Sequence, residues 1–546
     1  MRRLKASIWL AAPVILPLFF GACAFFLPFG SERRRYIYIL TVVCLTSLTV
    51  IGLNFWGPGE ALTLLRFGAM SITFRLDGLG KVFSFMAAGL WPPATVYAFE
   101  YMRRSAKKPM FYAFYTMTMG VILAIAYADN YLTMYLFYEL LTLVTLPLVI
   151  HHMNRPSYDA GKKYIFYSVG GAALGFIGLV FIAVYGASLD FRLGGVFSAA
   201  VWAKYGGVLS QAFVLAFAGL GVKAALFPAH GWLPAATVAP TTVTALLHAA
   251  AVVKASAFAL MRLTYYIFNI DFLWGTWAQW AAMALTLITI FLGSARAWYT
   301  GQLKRRLAYS TVGQLSYVLF GVTLMTPEGL AAALLYMVAH GLIKITLFYG
   351  CGAIQHMTRR LEVSELAGMG RQMPLTFAAF ALAALALMGA PPTIGFMAKL
   401  RLLRAAAQSG SPLALLGVLV VGLSILLTAA YMLPILRLAW FPGAEGNVGG
   451  AVAAGAGAAG TGTDAVGGGA TEAASAGAGT AGGGTGDSRG AGTDAAAAPP
   501  GGLTNIMDPP GLMTVPLGIL AALTLILGLC GRPLLEWLTR ISLGLA

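Results

Sequence analysis

Seven ionisable side chains stand inside long apolar stretches: Glu139, Lys223, His248, Lys254, His340, Lys344 and Lys399. A charge at the centre of a bilayer costs about 2.5–3.5 kcal/mol on insertion scales, so such residues pair, line cavities or mark ion paths. Glu139, in YLTMYLFYELLTLVTLPLVI, is the one acid so placed. Lys223 stands just before Pro228 and Pro234 in LAFAGLGVKAALFPAHGWLPAA, with His230 at the break; Lys399 follows Pro391, Pro392 and Gly395 in LMGAPPTIGFMAKLRLL. Proline removes a backbone donor, and irregular backbone at membrane depth is tolerated only inside protein or beside water. Both lysines are therefore expected at hydrated breaks. His340 and Lys344 are four apart and adjacent on a helix; an imidazole beside an amine can pass a proton, whereas two cations repel. His248 and Lys254, six apart, are expected to face different neighbours, with His248 sharing a face with Thr244. The bland alternatives are satisfied interhelical hydrogen bonds or, for Lys223 and Lys399, snorkelling stems.

The elements that must position these groups are membrane helices. The 546 residues are 59% hydrophobic and 10% charged, with mean hydropathy +0.79. Apolar runs of roughly 18–25 residues recur along the chain, each long enough to cross a bilayer, and the alternating pattern of an outer-membrane barrel is absent. Spans are expected at 8–28, 36–55, 80–99, 110–127, 131–150, 164–186, 209–227, 241–265, 278–297, 307–325, 329–354, 375–407 (interrupted), 412–436 and 512–531, an all-α polytopic membrane protein. The first run is longer than a signal-peptide core and lacks a clear cleavage site, so it reads as a retained span. Spans four to eight and nine to thirteen are both five-helix units whose third members are broken. An odd number of helices makes the units opposite in topology, the arrangement of inverted repeats with an ion path between them. The expected organisation is 1–109 for the first three spans, 110–268 and 275–440 for the repeats, 443–502 for a Gly/Ala-rich linker, and 503–546 for the last span and tail.

The net charge of +17 suits orienting loops better than nucleic acid. One set of alternate loops, with SERRR, RRSAKK, NRPSYDAGKK, LKRRL and TRRLEVSELAGMGRQ, holds about 19 Lys and Arg, and the other about 13. By the positive-inside rule the richer side is cytoplasmic, placing both termini outside and the linker inside a cell inner or plasma membrane. In that tally Arg262 and Lys304 are loop cations, and the four left over are Lys223, Lys254, Lys344 and Lys399. Cys23, Cys44, Cys351 and Cys530 are scattered without metal-ligand spacing, so no metal, cofactor or redox centre is expected.

The stretches YELLTL, GVKAALFPAHGWLPAATVAPTTVTALLHAAAVVKASAFALMR, LKRRLAYSTVGQLSYVLFG, HGLIKITLFYGCGAI and APPTIGFMAK resemble the proton-conducting antiporter-like subunits. These are chains L, M and N of respiratory complex I (NADH-quinone oxidoreductase), the A and D subunits of Mrp cation/proton antiporters, and related subunits of membrane-bound hydrogenases. The likeness covers about residues 75–440, and the GMGRQMPLT…GAPPTIGFMAK run looks most like the Mrp D branch. The resemblance implies that Glu139 of the fifth span pairs with Lys223 of the broken seventh, that Lys254 is a relay, that His340 with Lys344 follows, and that Lys399 is the exit-side residue. It implies other membrane subunits as partners, with H+ and, as a further candidate, Na+ as cargo. The Gly/Ala linker departs from the family. A stand-alone transporter of organic solutes would need polar clusters at the breaks, which AGLGVKAALF and APPTIGFMAK lack; a non-conducting scaffold subunit is the other alternative.

Overall fold

The computed structural model describes residues 9–57, 59–68, 70–441 and 507–545; the segment 443–502, expected as a linker, lies outside the described residues. Every expected span has a helix. These are α1 (Ala12–Phe26), α2 (Glu32–Trp56), α3 (Gly78–Tyr101), α4 (Lys108–Tyr127), α5 (Tyr131–Val149), α6 (Arg155–Tyr185), α7 (Ala199–Gly221), α8 (Thr241–Ala249), α9 (Val252–Arg262), α10 (Trp277–Tyr299), α11 (Leu303–Thr323), α12 (Pro327–Thr358), α13 (Pro374–Met388), α14 (Ile394–Gln408), α15 (Pro412–Trp440) and α16 (Gly511–Leu529). An amphipathic helix, α17 (Arg532–Ser542), follows. Twelve helices among the described residues are long and apolar enough to cross a membrane. The two expected spans outside that set are α11, which is rich in polar residues, and the broken pair α13–α14.

Side-chain caps fix several starts. The oxygens of Asp77, Asn130, Asn154, Ser198 and Thr326 accept from backbone N–H groups in the first turns of α3, α5, α6, α7 and α12, satisfying donors that have no partner within the helix. The breaks fall where proline predicts them. α7 ends at Gly221, and short helical turns carry the chain past Pro228 and Pro234 to α8. Within this break the Trp232 indole donates to the Val222 carbonyl at 2.8 Å, and Phe227 N donates to Thr289 Oγ1 at 3.0 Å. α13 stops at Gly389, whose φ of +89° suits glycine, and α14 resumes after Thr393. The two half-helices meet closely: a Cβ at Gly395 would lie 1.9 Å from the Ala386 carbonyl oxygen. Gly395→Ala is therefore expected to cost about 1–3 kcal/mol through overpacking, read as a lowered unfolding temperature of the detergent-solubilised protein.

Four sequence expectations need correction. The eighth span, expected as one helix over 241–265, is broken between α8 and α9. Ala250 N and Ala251 N both bond the Leu246 carbonyl at 3.1 and 2.9 Å, and Ala251 takes φ −100°, ψ −102°. Nothing in HAAAVVKASA signals this, because alanine is the best helix former. Residues 54–81, expected as a loop, contain an antiparallel hairpin of β1 (Leu62–Phe67) and β2 (Met70–Phe74). Arg262 is not a loop cation: it is 1% exposed and makes a bidentate pair with Asp77, at 2.5 and 2.6 Å. Nor is Lys304 a free loop residue, since its ammonium donates to the Ala239 carbonyl at 2.5 Å in the segment leading to α8.

The most enclosed spans are the α8–α9 segment and α12, whose apolar windows are 100% and 94% buried. They carry four of the seven candidate residues. α12 packs against α8, α13, α14 and α16, and α11 lies between α10 and α12. The candidates on these spans are thus screened from lipid on every side.

Candidate functional site

The first group forms around the break after α7. Lys223, 1% exposed, donates to Glu139 Oε1 at 2.9 Å and to the Tyr138 carbonyl at 2.7 Å. Its ammonium also lies 3.6 Å from the centre of the Tyr138 ring, within cation–π range. The Glu139 side chain is 28% exposed, so the pair has one deeply buried member and one at the chain's surface. The Leu220 carbonyl near the end of α7 accepts from Tyr138 Oη at 2.8 Å and from Ser256 Oγ at 2.5 Å. It thereby joins the Glu139–Lys223 pair to α9, which carries Lys254.

The second group forms at the unexpected break. In a continuous helix the His248 carbonyl would accept from the N–H of residue 252. Here it accepts from Lys254 Nζ at 3.1 Å. Lys254 also hydrogen-bonds His340 Nδ1 on α12. The expected His340–Lys344 couple is therefore replaced: His340 turns to Lys254, and Lys344, one turn along the same helix, reaches the Leu307 carbonyl at 3.1 Å and Ser310 Oγ. His248 was expected to stand apart from Lys254. Its ring does, tilted against Phe348 with ring centres 4.7 Å apart and neither ring nitrogen hydrogen-bonded among the described residues, but its carbonyl holds the lysine. His230 stacks on Phe227 at 6.0 Å and joins neither group.

The third group forms at the α13–α14 break. Lys399, 3% exposed, donates to the carbonyls of Leu387 and Met388 at 2.6 and 3.1 Å and lies 5.6 Å from the Tyr317 ring centre. Lys254 and Lys399 share one solution: each ammonium meets carbonyls left free at the C-terminal end of a half-helix, where the helix dipole is negative. Among the buried lysines Lys223 alone has a carboxylate partner among the described residues.

Sequence reasoning missed the polar cluster between Lys344 and Lys399. Ser310, Gln314 and Tyr317 recur at helical spacing along one face of α11. Tyr336 Oη donates to Gln314 Oε1, Gln314 Nε2 to Thr428 Oγ1 at 3.2 Å, and Tyr317 Oη to Ser424 Oγ at 2.7 Å. The Tyr317 and Tyr336 rings lie 5.2 Å apart. The legible signal was the spacing itself, in a span too polar to be explained by lipid contact. The contacts thus form a succession of separate pairs: Glu139 with Lys223, Lys254 with His340, Lys344 with Ser310, and the Tyr317 ring beside Lys399. Every neutral member of that succession can both give and accept a proton. Tyr317→Phe keeps the ring beside Lys399 and removes the hydroxyl; it is expected to slow ion movement by about 10²-fold with the unfolding temperature unchanged, as judged by vesicle assays beside thermal melts.

Residues 128–427, more than half of the chain, match the family model described as NADH:quinone oxidoreductase/Mrp antiporter, TM. The Na(+)/H(+) antiporter subunit A1 of Staphylococcus aureus is 30% identical over 381 residues, 67% of this chain and 46% of that protein. The chain spans about half the length of the curated relatives it matches. Two solved structures share the fold. One is the Mrp complex of a Dietzia species, with TM-score 0.77 and 21% identity over 100% of this chain and 98% of the other. The second is the membrane-bound sulfane sulfur reductase, an archaeal respiratory membrane complex, with TM-score 0.77 and 19% identity over 99% and 98%. The matched segment contains all seven candidate residues, and the chain belongs to the NADH:quinone oxidoreductase/Mrp antiporter transmembrane family.

Proposed function

We propose that this multi-pass membrane protein is the proton-translocating subunit of a multisubunit ion-pumping complex, coupling H+ movement to a neighbouring subunit and, in an antiporter setting, to Na+. The observation that carries this reading is the line of polar groups from Glu139 to Lys399, paired as Glu139 with Lys223, Lys254 with His340 and Lys344 with Ser310, with Lys399 beside the Tyr317 ring. A solute carrier would place a cavity at the breaks. Here the breaks are filled by lysine ammoniums on backbone carbonyls.

Glu139 is the control point. Its carboxylate is part-exposed, so a charge change in an adjoining subunit can draw it from Lys223. A buried ammonium without its counter-charge is costly, and it sheds that cost by passing a proton on. Lys254, held by a single carbonyl and an imidazole, receives it; His340 and Lys344 sit one helical turn apart; the Ser310–Tyr317 face leads to Lys399. The two repeats, 110–268 and 275–440, then supply Lys223 and Lys399 as corresponding groups beside their respective breaks. With the Lys- and Arg-rich loops in the cytoplasm, both termini lie outside. The host complex, co-purified and reconstituted in proteoliposomes with a pH-sensitive dye inside, is expected to move protons when a cation gradient or its own driving reaction is supplied. Proton movement that persists when Lys223, Lys254, Lys344 and Lys399 are all replaced would show the chain to be a scaffold.

A further inference from the structure

Two cavities outside the lysine succession meet at one arginine. The first, of about 240 Å³, is lined by Glu328, Arg401, Arg404 and Gln408 among others. The second, of about 690 Å³, opens between Arg401 and the helix α17 residues Glu536, Trp537 and Arg540. The walls are the first turn of α12, the C-terminal half of α14 and α17. Counting crossings puts these three ends on one membrane face.

α17 is 11 residues long, too short to span a bilayer. Its Leu538 and Ile541 are buried, whereas Arg532, Glu536 and Arg540 form an exposed stripe. Leu543 and Leu545 beyond it are 50% and 72% exposed. Such a helix lies along the interface, here with Leu538 and Ile541 covered by the chain itself, and Trp537 suits headgroup depth.

The charges here are not satisfied among the described residues. Arg401, Arg404 and Arg540 make no ion pair among the described residues, although Glu328 and Glu536 stand in the same cavities. Arg401 Nε is buried without a hydrogen-bond partner, a vacancy that native proteins seldom leave. Three guanidiniums against two carboxylates leave positive charge, and the guanidinium fork matches phosphate oxygens. We propose that Arg401, Arg404 and Arg540 hold the phosphodiester headgroup of an anionic phospholipid, with Trp537 and Leu535 against its glycerol and upper acyl region. The lipid phosphate then sits on α14, the helix that also carries Lys399.

The test uses the chain in its host complex, delipidated and supplied separately with phosphatidylglycerol, phosphatidylethanolamine or inorganic phosphate. Retained lipid is read by native mass spectrometry and stability by thermal melting. Phosphatidylglycerol is expected to be retained and to raise the melting temperature, with phosphatidylethanolamine weaker and inorganic phosphate without effect. Arg401→Gln and Arg404→Gln are each expected to weaken retention about fivefold; two variants guard against one that fails to fold. Equal retention of both lipids, unchanged retention in both variants, or equal protection by inorganic phosphate would overturn the proposal, the last by showing a soluble-anion site. So would finding the corner covered by another subunit with no lipid retained.

Discussion

Lys223→Ala is expected to reduce coupled proton movement by about 10²-fold or more while the protein still inserts and assembles. The ammonium is 1% exposed and has a carboxylate, a carbonyl and an aromatic face as partners. Its removal takes away the first proton carrier of the succession and leaves Glu139, which is 28% exposed, able to find other partners at the surface. The fold should therefore survive. Glu139→Ala is expected to give a similar transport loss for a different reason: it strands Lys223 as a buried cation, which costs stability when a pair loses one member. Because both changes disable one device, their effects should not add in the double variant. Additive losses, or full transport in either single variant, would contradict the pairing as the control point.

The second large effect is structural and lies away from the proton carriers. Asp77→Ala is expected to destabilise the protein by about 3–5 kcal/mol, because it leaves Arg262 buried and unpaired. Asp77 also caps α3 through Gly80 N at 2.9 Å, a contact worth about 1 kcal/mol by itself. The Arg262 guanidinium sits among Phe191, Phe258 and Tyr266, with ring centres 4.8, 5.1 and 4.6 Å away, so it cannot swing out to water. Nearby, Asp129 bonds Arg75 at 2.6 Å; burial raises its carboxyl to about 6 against the pull of Arg75. The double variant Asp77→Ala/Arg262→Met removes both charges and is expected to recover much of the lost stability in thermal melts. If Asp77→Ala melts like the wild type, the pair does not hold α9 to α3.

These two predictions mark what was legible in the sequence. Glu139 and Lys223 could be singled out because charge in an apolar run is conspicuous, and proline told where the chain must break. Arg262 could not. It ends an apolar helix, where a cation is ordinarily interfacial, and only the fold brings Asp77, 185 residues earlier, against it. The α8–α9 break was equally hidden, since an alanine-rich stretch carries no breaker and its distortion rests on tertiary contacts of Lys254 with His248 O and His340. His340 and Lys344 were adjacent by spacing, yet each found a stronger partner on another helix, which i,i+4 reasoning does not consider. Ser310, Gln314 and Tyr317 share a legible face, but their role depended on Tyr336, Ser424 and Thr428 arriving from α12 and α15. Capped helix starts were readable from single residues, whereas the hairpin β1–β2 lay within a stretch read only as a connection.

The central claim is that protons travel the buried succession through the fully buried Lys254. The direct measurement is proton flux into proteoliposomes carrying the assembled complex with Lys254→Met, which keeps the side chain's bulk and removes its amine. The expected result is flux at the level of empty vesicles, with wild-type assembly and melting temperature. Wild-type flux through the Lys254→Met complex would contradict the account.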